Sequence, residues 1–269
     1  MKILGILNIT DDSFSDGGKF LAPDAALAHG ASLLADGADI LDIGAASSNP
    51  DAKAVTAQTE IARLASVVPV FKAQGAAISI DSFLPEVQRW AIAQGIDYLN
   101  DIHGFAEPAF YPALAAAKAK LVVMHAIQAQ GIATRDDVPA AGIFAHAVSF
   151  FEQRIEALTG AGIARDRLIL DPGMGFFVGS DPQNSLTLLR RLSELKARFG
   201  LPLLVSVSRK SFLRKVASQS DPGGLPIQGA SLAAELFAAA QGVDYLRTHA
   251  PGPLTAALKV RNVLELRGI

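Results

Sequence analysis

The sequence predicts an α/β fold, a single (β/α)8 TIM barrel that spans residues 1–269, and three observations support this prediction. Short apolar runs alternate with longer segments of helical periodicity along the whole chain. The length of 269 residues is common among single barrels. Nearly every apolar run is followed by a polar residue able to bind or catalyse, and a barrel gathers the carboxyl ends of its strands at one face.

Eight apolar runs are predicted as strands, because almost continuous apolar stretches are typical of parallel sheets covered on both faces. In chain order they are Lys2–Leu7, Ile40–Ile43, Ala77–Ile80, Ile96–Leu99, Lys120–Met124, Leu168–Leu170, Pro202–Val207 and Val243–Leu246. A doubly wound sheet with extra strands is the alternative arrangement of these elements.

The segments between the strands carry apolar residues at helical spacing and are predicted as helices. They are Pro23–Asp36, Val55–Lys72, Pro85–Gln94, Pro108–Ala117, Pro139–Ala161, Ser185–Phe199, Gly229–Ala240 and Leu254–Leu266. Glycines such as Gly37, Gly95 and Gly242 follow helix ends, as expected for left-handed caps. No linker-like stretch divides the chain, so we expect one domain.

Composition excludes several classes of function. The formal net charge is −2, without a basic block, so we expect neither nucleic acid nor a membrane surface as a partner. The chain has no cysteine, which excludes disulfides, thiolate nucleophiles and cysteine metal sites. No apolar run approaches the roughly 20 residues of a membrane span, and Met1–Leu7 is strand-like rather than a basic start followed by a long apolar stretch. We therefore expect a cytoplasmic protein.

Three polar or turn-rich loops stand out. Thr10–Phe20 and Gly44–Val55 follow the first two predicted strands, so they would lie at the active face and could act as mobile lids. Ser218–Pro226 is rich in glycine and proline, and an ordinary solvated connection explains it equally well.

Asp81 and Asp171 come directly after strands, where a barrel directs side chains into the mouth of its pocket. Two carboxylates there could bind the guanidine-like edge of a heterocycle, accept a proton or hold a metal. Both also precede helices or turns, so a purely structural role as N-caps is an equally good interpretation from the residues alone.

Asn8, Arg247 and His249 form a second group of strand-end residues. A guanidinium binds phosphate oxygens bidentately, and an amide oxygen suits Mg²⁺ that keeps its water and substrate ligands. Lys210 lacks the glycine-rich frame of a phosphate-binding P-loop, and that motif is rejected. His29 and His146 fall inside helices, where we expect ordinary surface or packing residues.

Six segments, each at a predicted strand end, together resemble the dihydropteroate synthase family over essentially the whole chain. They are Gly5–Gly18 (GILNITDDSFSDGG), Ser79–Ser82 (SIDS), Leu99–Ile102 (LNDI), Leu170–Phe176 (LDPGMGF), Ser208–Ser211 (SRKS) and Arg247–His249 (RTH). Asp11 replaces the proline that is usual in the first segment. The order and spacing of all six make this resemblance highly specific.

The resemblance implies an enzyme that joins p-aminobenzoate to 6-hydroxymethyl-7,8-dihydropterin diphosphate, giving dihydropteroate and diphosphate in folate biosynthesis. It assigns pterin binding to Asp81, Asn100, Asp171 and Lys210, of which Asp81, Asp171 and Lys210 would also be catalytic. It assigns the diphosphate to Asn8, Ser48, Arg247 and His249, with Mg²⁺ on Asn8. It places Phe14, Pro50, Phe176, Arg209 and Ser211 around p-aminobenzoate. A homodimer packed through the last helices is implied by the family alone.

Two departures from the usual pattern resemble the sulfonamide-insensitive (Sul-type) branch of the family. The second loop reads GAASSNPDA over Gly44–Ala52, with Ser48 and Asn49 at the positions of the usual threonine and arginine. Phe176 is followed by Phe177-Val178. We expect Phe177 to narrow the outer rim of the p-aminobenzoate pocket and exclude sulfonamides; the alternative is that it packs against the following helix.

Two other functions remain open at this point. A pterin-binding methyltransferase would share the barrel and part of the pterin site, but its donor has no diphosphate for Arg247 and His249 to bind. A non-catalytic homologue would act as a binding module, although the complete charged set argues against it.

Overall fold

The computed structural model describes residues 1–10, 23–47, 55–128, 139–218 and 227–265. Within these ranges the chain forms eight strands, all parallel to their neighbours. They are β1 (Lys2–Asn8), β2 (Ile40–Gly44), β3 (Ala77–Asp81), β4 (Tyr98–Asp101), β5 (Lys120–Met124), β6 (Leu168–Asp171), β7 (Leu204–Val205) and β8 (Tyr245–Thr248).

The sheet closes on itself, which confirms the (β/α)8 barrel. The strand order is β6-β5-β4-β3-β2-β1-β8-β7. A parallel bridge between Leu170 and Leu203 joins its two ends, and the Leu170 amide donates to the Pro202 carbonyl at 2.9 Å. A doubly wound sheet would leave two open edges, so that alternative is wrong.

Helices follow the strands around the outside of the barrel. Those within the described ranges are α1 (Pro23–Ala35), α2 (Ala57–Ala65), α3 (Val68–Ala73), α4 (Pro85–Ala93), α5 (Tyr111–Ala116), α6 (Ala140–Gly160), α7 (Pro182–Arg190), α8 (Leu192–Phe199), α9 (Ser211–Ser218), α10 (Ile227–Ala240) and α11 (Pro251–Glu265). Short 3-10 turns precede α5, β6 and α7. None of the described helices combines the length and the apolar character needed to cross a membrane.

Two predicted helices are each divided in two. The predicted helix Val55–Lys72 breaks before α3, because Pro69 lies in the first turn of α3 and cannot continue a helix that precedes it. The predicted helix Ser185–Phe199 begins earlier, at Pro182, where Asp181 caps the Gln183 amide at 2.9 Å. Apolar periodicity continues across both breaks, so it did not reveal them.

A repeated Gly-x-Asp unit at the amino-terminal end of the barrel explains why β4 and β8 begin two residues later than predicted. Each unit starts with a glycine at positive φ and ends with an aspartate whose carboxylate accepts the amide hydrogen of a residue in or beside another strand. The three acceptor contacts are Asp39 to Ile3 (2.7 Å), Asp97 to Ile78 (3.0 Å) and Asp244 to Leu203 (2.9 Å). These contacts join neighbouring strands at the amino-terminal end of the barrel.

Candidate active site

Inside the barrel, a layer of apolar side chains is followed by a layer of polar side chains that lies closer to the carboxyl ends of the strands. The lower layer is formed by one cluster of buried side chains: Leu4, Ile40, Tyr98, Val122, Ile169, Leu204 and Tyr245. Side chains two residues further along a strand point to the same face. Five of these next positions are polar, and a sixth polar residue follows Ala77, which packs against the cluster: Asp42, Asn100, Asp171, Ser206 and Arg247, with Ser79 as the sixth. The sequence therefore places a polar floor under the mouth of the barrel.

Arg247 connects two of the carboxylates. Its Nε donates to Asp42 at 2.5 Å and its Nη2 donates to Asp81 at 2.6 Å. The side chain of Asp42 is fully buried, whereas that of Asp81 is 22% exposed. Burial lowers the pKa of Arg247, but the carboxylates of Asp42 and Asp81 outweigh it and raise the pKa overall, so Arg247 stays charged.

Asp42 is a site residue that the sequence analysis missed. It lies inside β2 rather than at its end, and its Oδ1 is buried without a hydrogen-bond donor among the described residues. A charged residue within the apolar run Ile40–Ile43 was the available signal, because an acid is rarely buried unless it is paired.

The structure separates the two interpretations of Asp81. The amide of Leu84 donates to Ser82 at 3.3 Å, so Ser82 takes the local structural role. Asp81 instead faces Arg247 and stands beside Asn100 in the register of β3 and β4. Burial raises the pKa of Asp81 well above its ordinary value, and Asp42 adds to the rise against the opposing charges of Arg247 and Lys210.

Asp171 shapes the local turn and is also a buried acid with a raised pKa. One carboxylate oxygen accepts the Gly173 amide at 2.8 Å, which shapes the turn after β6. Burial raises the pKa of Asp171 to about 6, although the Gly173 bond and Lys210 oppose the rise. Asn100, on β4, is also buried, and its Oδ1 has no donor among the described residues. Both side chains therefore offer buried acceptors to a ligand with several donors.

Lys210 completes the charged set. Burial and the charge of Arg247 together lower its pKa to about 8, against the opposing charges of Asp171 and Asp81. Its stem passes Gly175, where an added Cβ would lie 3.3 Å from Lys210 Cδ. Its Nζ lies 4.9 Å from the centre of the Phe177 ring, within the range of a cation–π contact.

His249 and Ser208 stand together after β8 and β7. Ser208 Oγ accepts the His249 amide at 3.2 Å and lies 3.1 Å from His249 Nδ1. Burial and the charges of Arg209, Arg247 and Lys210 lower the pKa of His249 to about 3. His249 is thus a neutral hydrogen-bonding group at neutral pH.

Asn8 lies exposed at the end of β1, in register with Gly44, which is itself in register with Asp81. A Cβ added at Gly44 would lie 3.6 Å from Asn8 Oδ1. Within the described part of the chain, no group of three or more histidines and acids could hold a metal by itself. The amide oxygen of Asn8 is a ligand type that suits a Mg²⁺ whose remaining ligands would be water and substrate oxygens.

The predicted p-aminobenzoate pocket is placed only in part. Phe176 is partly exposed and packs with Phe83 against a small cluster in which Phe177 is buried beside Ile102, Met124 and Ala126. That Phe177 narrows the outer rim of this pocket stays a prediction, because other residues assigned to the pocket lie outside the described ranges. Its ring also contacts Lys210, and packing against the following helix stays the alternative. Arg209 is exposed and Ser211 opens α9, whereas Phe14, Ser48 and Pro50 lie outside the described residues.

A histidine pair supports the turn after β6. His125 follows β5, and its Nε2 lies 2.8 Å from Nδ1 of His146 on α6. His146 was expected to be an ordinary surface or packing residue, and its partner lies too far along the sequence for a motif to reveal. His29 is largely exposed on α1, and partial desolvation together with the nearby charge of Arg209 lowers its pKa.

Comparison with known proteins gives one consistent result. Residues 4–249 match the family model "Pterin binding enzyme". "Dihydropteroate synthase type-2" from Escherichia coli is 56% identical over 98% of this chain and 96% of its own length. The chain is also similar to "Xanthomonas albilineans Dihydropteroate synthase with 4-aminobenzoic acid", with a TM-score of 0.87, 35% identity, and coverage of 99% of this chain and 94% of that one. The Xanthomonas enzyme "in complex with 7,8-dihydropteroate" matches with a TM-score of 0.84, 33% identity and the same coverage.

Proposed function

Because the chain belongs to the dihydropteroate synthase family, we propose that it condenses 6-hydroxymethyl-7,8-dihydropterin diphosphate with p-aminobenzoate. The observation that carries this proposal is the convergence of Asp81, Asn100, Asp171, Lys210 and Arg247 at one barrel mouth. The related Xanthomonas structures hold 4-aminobenzoic acid and 7,8-dihydropteroate, one substrate and one product of this reaction.

The pterin binds to the polar floor. Its 2-amino-4-oxo edge presents several donors, which the buried oxygens of Asp171 and Asn100 accept. Lys210 donates to the ring oxygen or nitrogen. Buried acceptors that lose their partner cost about 1–3 kcal/mol, so the site discriminates strongly against rings that lack these donors.

The diphosphate leaves toward Arg247 and His249. Arg247 uses Nε and Nη2 for Asp42 and Asp81, and its Nη1 is not engaged by these two carboxylates. His249 is neutral and donates a hydrogen bond without adding charge. Asn8 would hold Mg²⁺, which when bound neutralises charge on the leaving oxygens.

Bond formation needs no enzyme nucleophile. The aniline nitrogen of p-aminobenzoate attacks the pterin methylene carbon, the C–O bond to diphosphate breaks, and its electron pair leaves with the diphosphate. The aniline nitrogen releases a proton to solvent. Asp81 and Asp171 favour the cationic character that develops on the methylene, and the cationic side chains stabilise the leaving group.

We also propose that the enzyme distinguishes p-aminobenzoate from sulfonamides. This proposal rests on the altered second loop and on Phe177 beside Lys210.

We further propose that the chain forms a homodimer. This proposal rests on exposed apolar side chains on α10 and α11: Phe237, Val260, Val263 and Leu264. Light scattering coupled to size exclusion tests the dimer, and Phe237→Glu with Val263→Glu should give a monomer.

The test of the catalytic proposal is direct. The purified protein, supplied with pterin diphosphate, p-aminobenzoate and Mg²⁺, should release equal amounts of dihydropteroate and diphosphate. The gene should also restore growth, without folate-pathway end products, to a bacterium that lacks dihydropteroate synthase. Absence of both results would contradict the proposal and favour a non-catalytic homologue, while methyl transfer from a methylated folate would indicate the methyltransferase.

A further inference from the structure

His125 is fully buried, and both of its ring nitrogens are hydrogen-bonded. Nδ1 lies 2.8 Å from the carbonyl oxygen of Pro172, and Nε2 lies 2.8 Å from Nδ1 of His146. A carbonyl can only accept, so Nδ1 of His125 carries the hydrogen. Nε2 is then an acceptor, and Nδ1 of His146 must donate to it. These two contacts determine the tautomer of His125.

The same residue holds the turn after β6 at three successive positions. The His125 amide donates to the Asp171 carbonyl at 2.8 Å, and its ring donates to Pro172. At Gly173, an added Cβ would lie only 2.2 Å from the His125 carbonyl oxygen, so the two backbones are in close contact. Backbone and ring of His125 together fix the position of this turn relative to β5.

The carboxylate of Asp171 is tied to that turn. Its Oδ1 accepts the Gly173 amide at 2.8 Å, so a shift of the turn would move the carboxylate with it. Asp171 is buried from bulk solvent, so a misplaced acceptor there loses a ligand contact at a high cost in free energy.

We infer that His125 is a positioning residue, which directs the Asp171 carboxylate toward the pterin, and that His146 fixes the tautomer it needs for this. The inference rests on the proposed pterin site. Burial lowers the pKa of His125 to about 4, which keeps its ring neutral at neutral pH and agrees with Nε2 as an acceptor. His146 donates through Nδ1 whether it is neutral or charged.

The test compares three substitutions of His125 by calorimetry with the pterin diphosphate. His125→Ala should weaken binding about tenfold or more, which is the effect of losing about 1.4 kcal/mol. His125→Asn places an N–H near the position of Nδ1 and should restore most of the affinity. His125→Gln directs its amide toward His146 instead and should behave like the alanine variant. The KM for p-aminobenzoate should change by less than about threefold in all three.

Two further measurements separate positioning from general packing. Phe150 also contacts the His125 ring, with centroids 5.3 Å apart, so Phe150→Leu disturbs the packing without removing a hydrogen bond and should leave pterin affinity nearly unchanged. Histidine ¹⁵N spectra of the wild type should show His125 protonated at Nδ1 only, and His146→Ala should alter that signature.

The possible outcomes are distinct. If the wild type neither binds the pterin diphosphate nor converts it, the proposed function and this inference are both contradicted. Wild type that binds, with a His125→Asn variant no better than His125→Gln, overturns the positioning role alone. Equal losses for both substrates would show a general loss of structure and also contradict it. If His125→Ala does not fold, the Asn and Gln pair decides.

Discussion

Arg247 and Asp42 form an ion pair inside the barrel, in which Nε donates to a carboxylate oxygen that has no solvent exposure. The same guanidinium also bonds Asp81. One cation therefore holds two carboxylates at the place where a diphosphate is proposed to leave. Removing it alone would leave two acids without their partner, and such losses typically cost about 3–5 kcal/mol.

We expect Arg247→Ala to weaken binding of the pterin diphosphate far more than binding of the free pterin alcohol. Only the first ligand offers phosphate oxygens to Arg247. Omission of Mg²⁺ should cause a similar loss that does not add to the first, because both act on the same oxygens. Titration calorimetry with the two ligands, with and without Mg²⁺, measures this.

The control for that variant addresses its stability. Asp42→Asn with Arg247→Ala removes one of the orphaned charges and should recover part of the unfolding free energy without recovering diphosphate binding. Equal losses for diphosphate and alcohol in both variants would mean that Arg247 acts only as a structural counter-ion.

Asp171→Asn should impair turnover mainly by weakening pterin capture. The amide keeps the shape of the side chain but loses a charge-assisted acceptor, which is worth about 1.5–3 kcal/mol or roughly ten- to a hundredfold in affinity. Calorimetry with the pterin diphosphate tests the effect, with Asp181→Asn, a helix cap outside the site, as the matched control. Unchanged affinity would remove Asp171 from the pterin site.

Phe177→Gly should lower the inhibition constant for sulfamethoxazole by at least about tenfold, roughly 1.4 kcal/mol. A bulky side chain can clash with a tetrahedral sulfonyl and spare a flat carboxylate, so the KM for p-aminobenzoate should change less. Steady-state inhibition measures both.

The burial of Phe177 adds a second consequence. Its removal leaves a cavity beside Lys210, and losses of about 3–5 kcal/mol in stability accompany such truncations. Phe177→Leu, which retains most of the volume, separates the two effects. Equal inhibition of wild type and both variants would place the discriminating element in the loop Ala45–Asp51.

Glu235→Gln should change how stability depends on pH. Glu235 lies on α10, is almost fully buried beside Thr248, and its pKa is raised by burial from 4.5 to about 7. The folded state then binds more protons than the unfolded state between these values, so the contribution of Glu235 to stability is present below about pH 4.5 and is lost as the pH rises to about 7.

Glutamine is neutral and does not titrate. The free energy of unfolding of the variant, relative to that of the wild type, should therefore increase by up to roughly 3 kcal/mol between pH 5 and pH 8. Urea unfolding across this range gives the difference. A difference that stays constant with pH would show that Glu235 is not the titrating group.

Polar residues at strand ends could be predicted as candidate site residues from the sequence. The reason is that a parallel barrel brings the carboxyl ends of all its strands to one face. Asp81, Asp171 and Arg247 were predicted as candidate residues in this way, whereas Asn100 and Lys210 were assigned through the family resemblance. Asp42 was not predicted, since it interrupts a strand instead of following it.

The His125–His146 pair was missed for a different reason. Their contact depends on how α6 packs over the end of β5, and no local pattern encodes that packing. Helix breaks at Val67 and Arg191 were also invisible to periodicity, although Pro69 was a usable signal for the first.

The Gly-x-Asp units at the amino-terminal end of the barrel have an evolutionary consequence. Each uses only three consecutive residues and one bond to another strand, through Asp39, Asp97 and Asp244. They lie at the opposite end of the strands from Asp81 and Asp171. Mutations that reshape the substrate loops therefore leave these aspartate–amide hydrogen bonds between strands unchanged. A scaffold divided in this way can accumulate changes that exclude a drug while the cost in folding stays local to the altered loop.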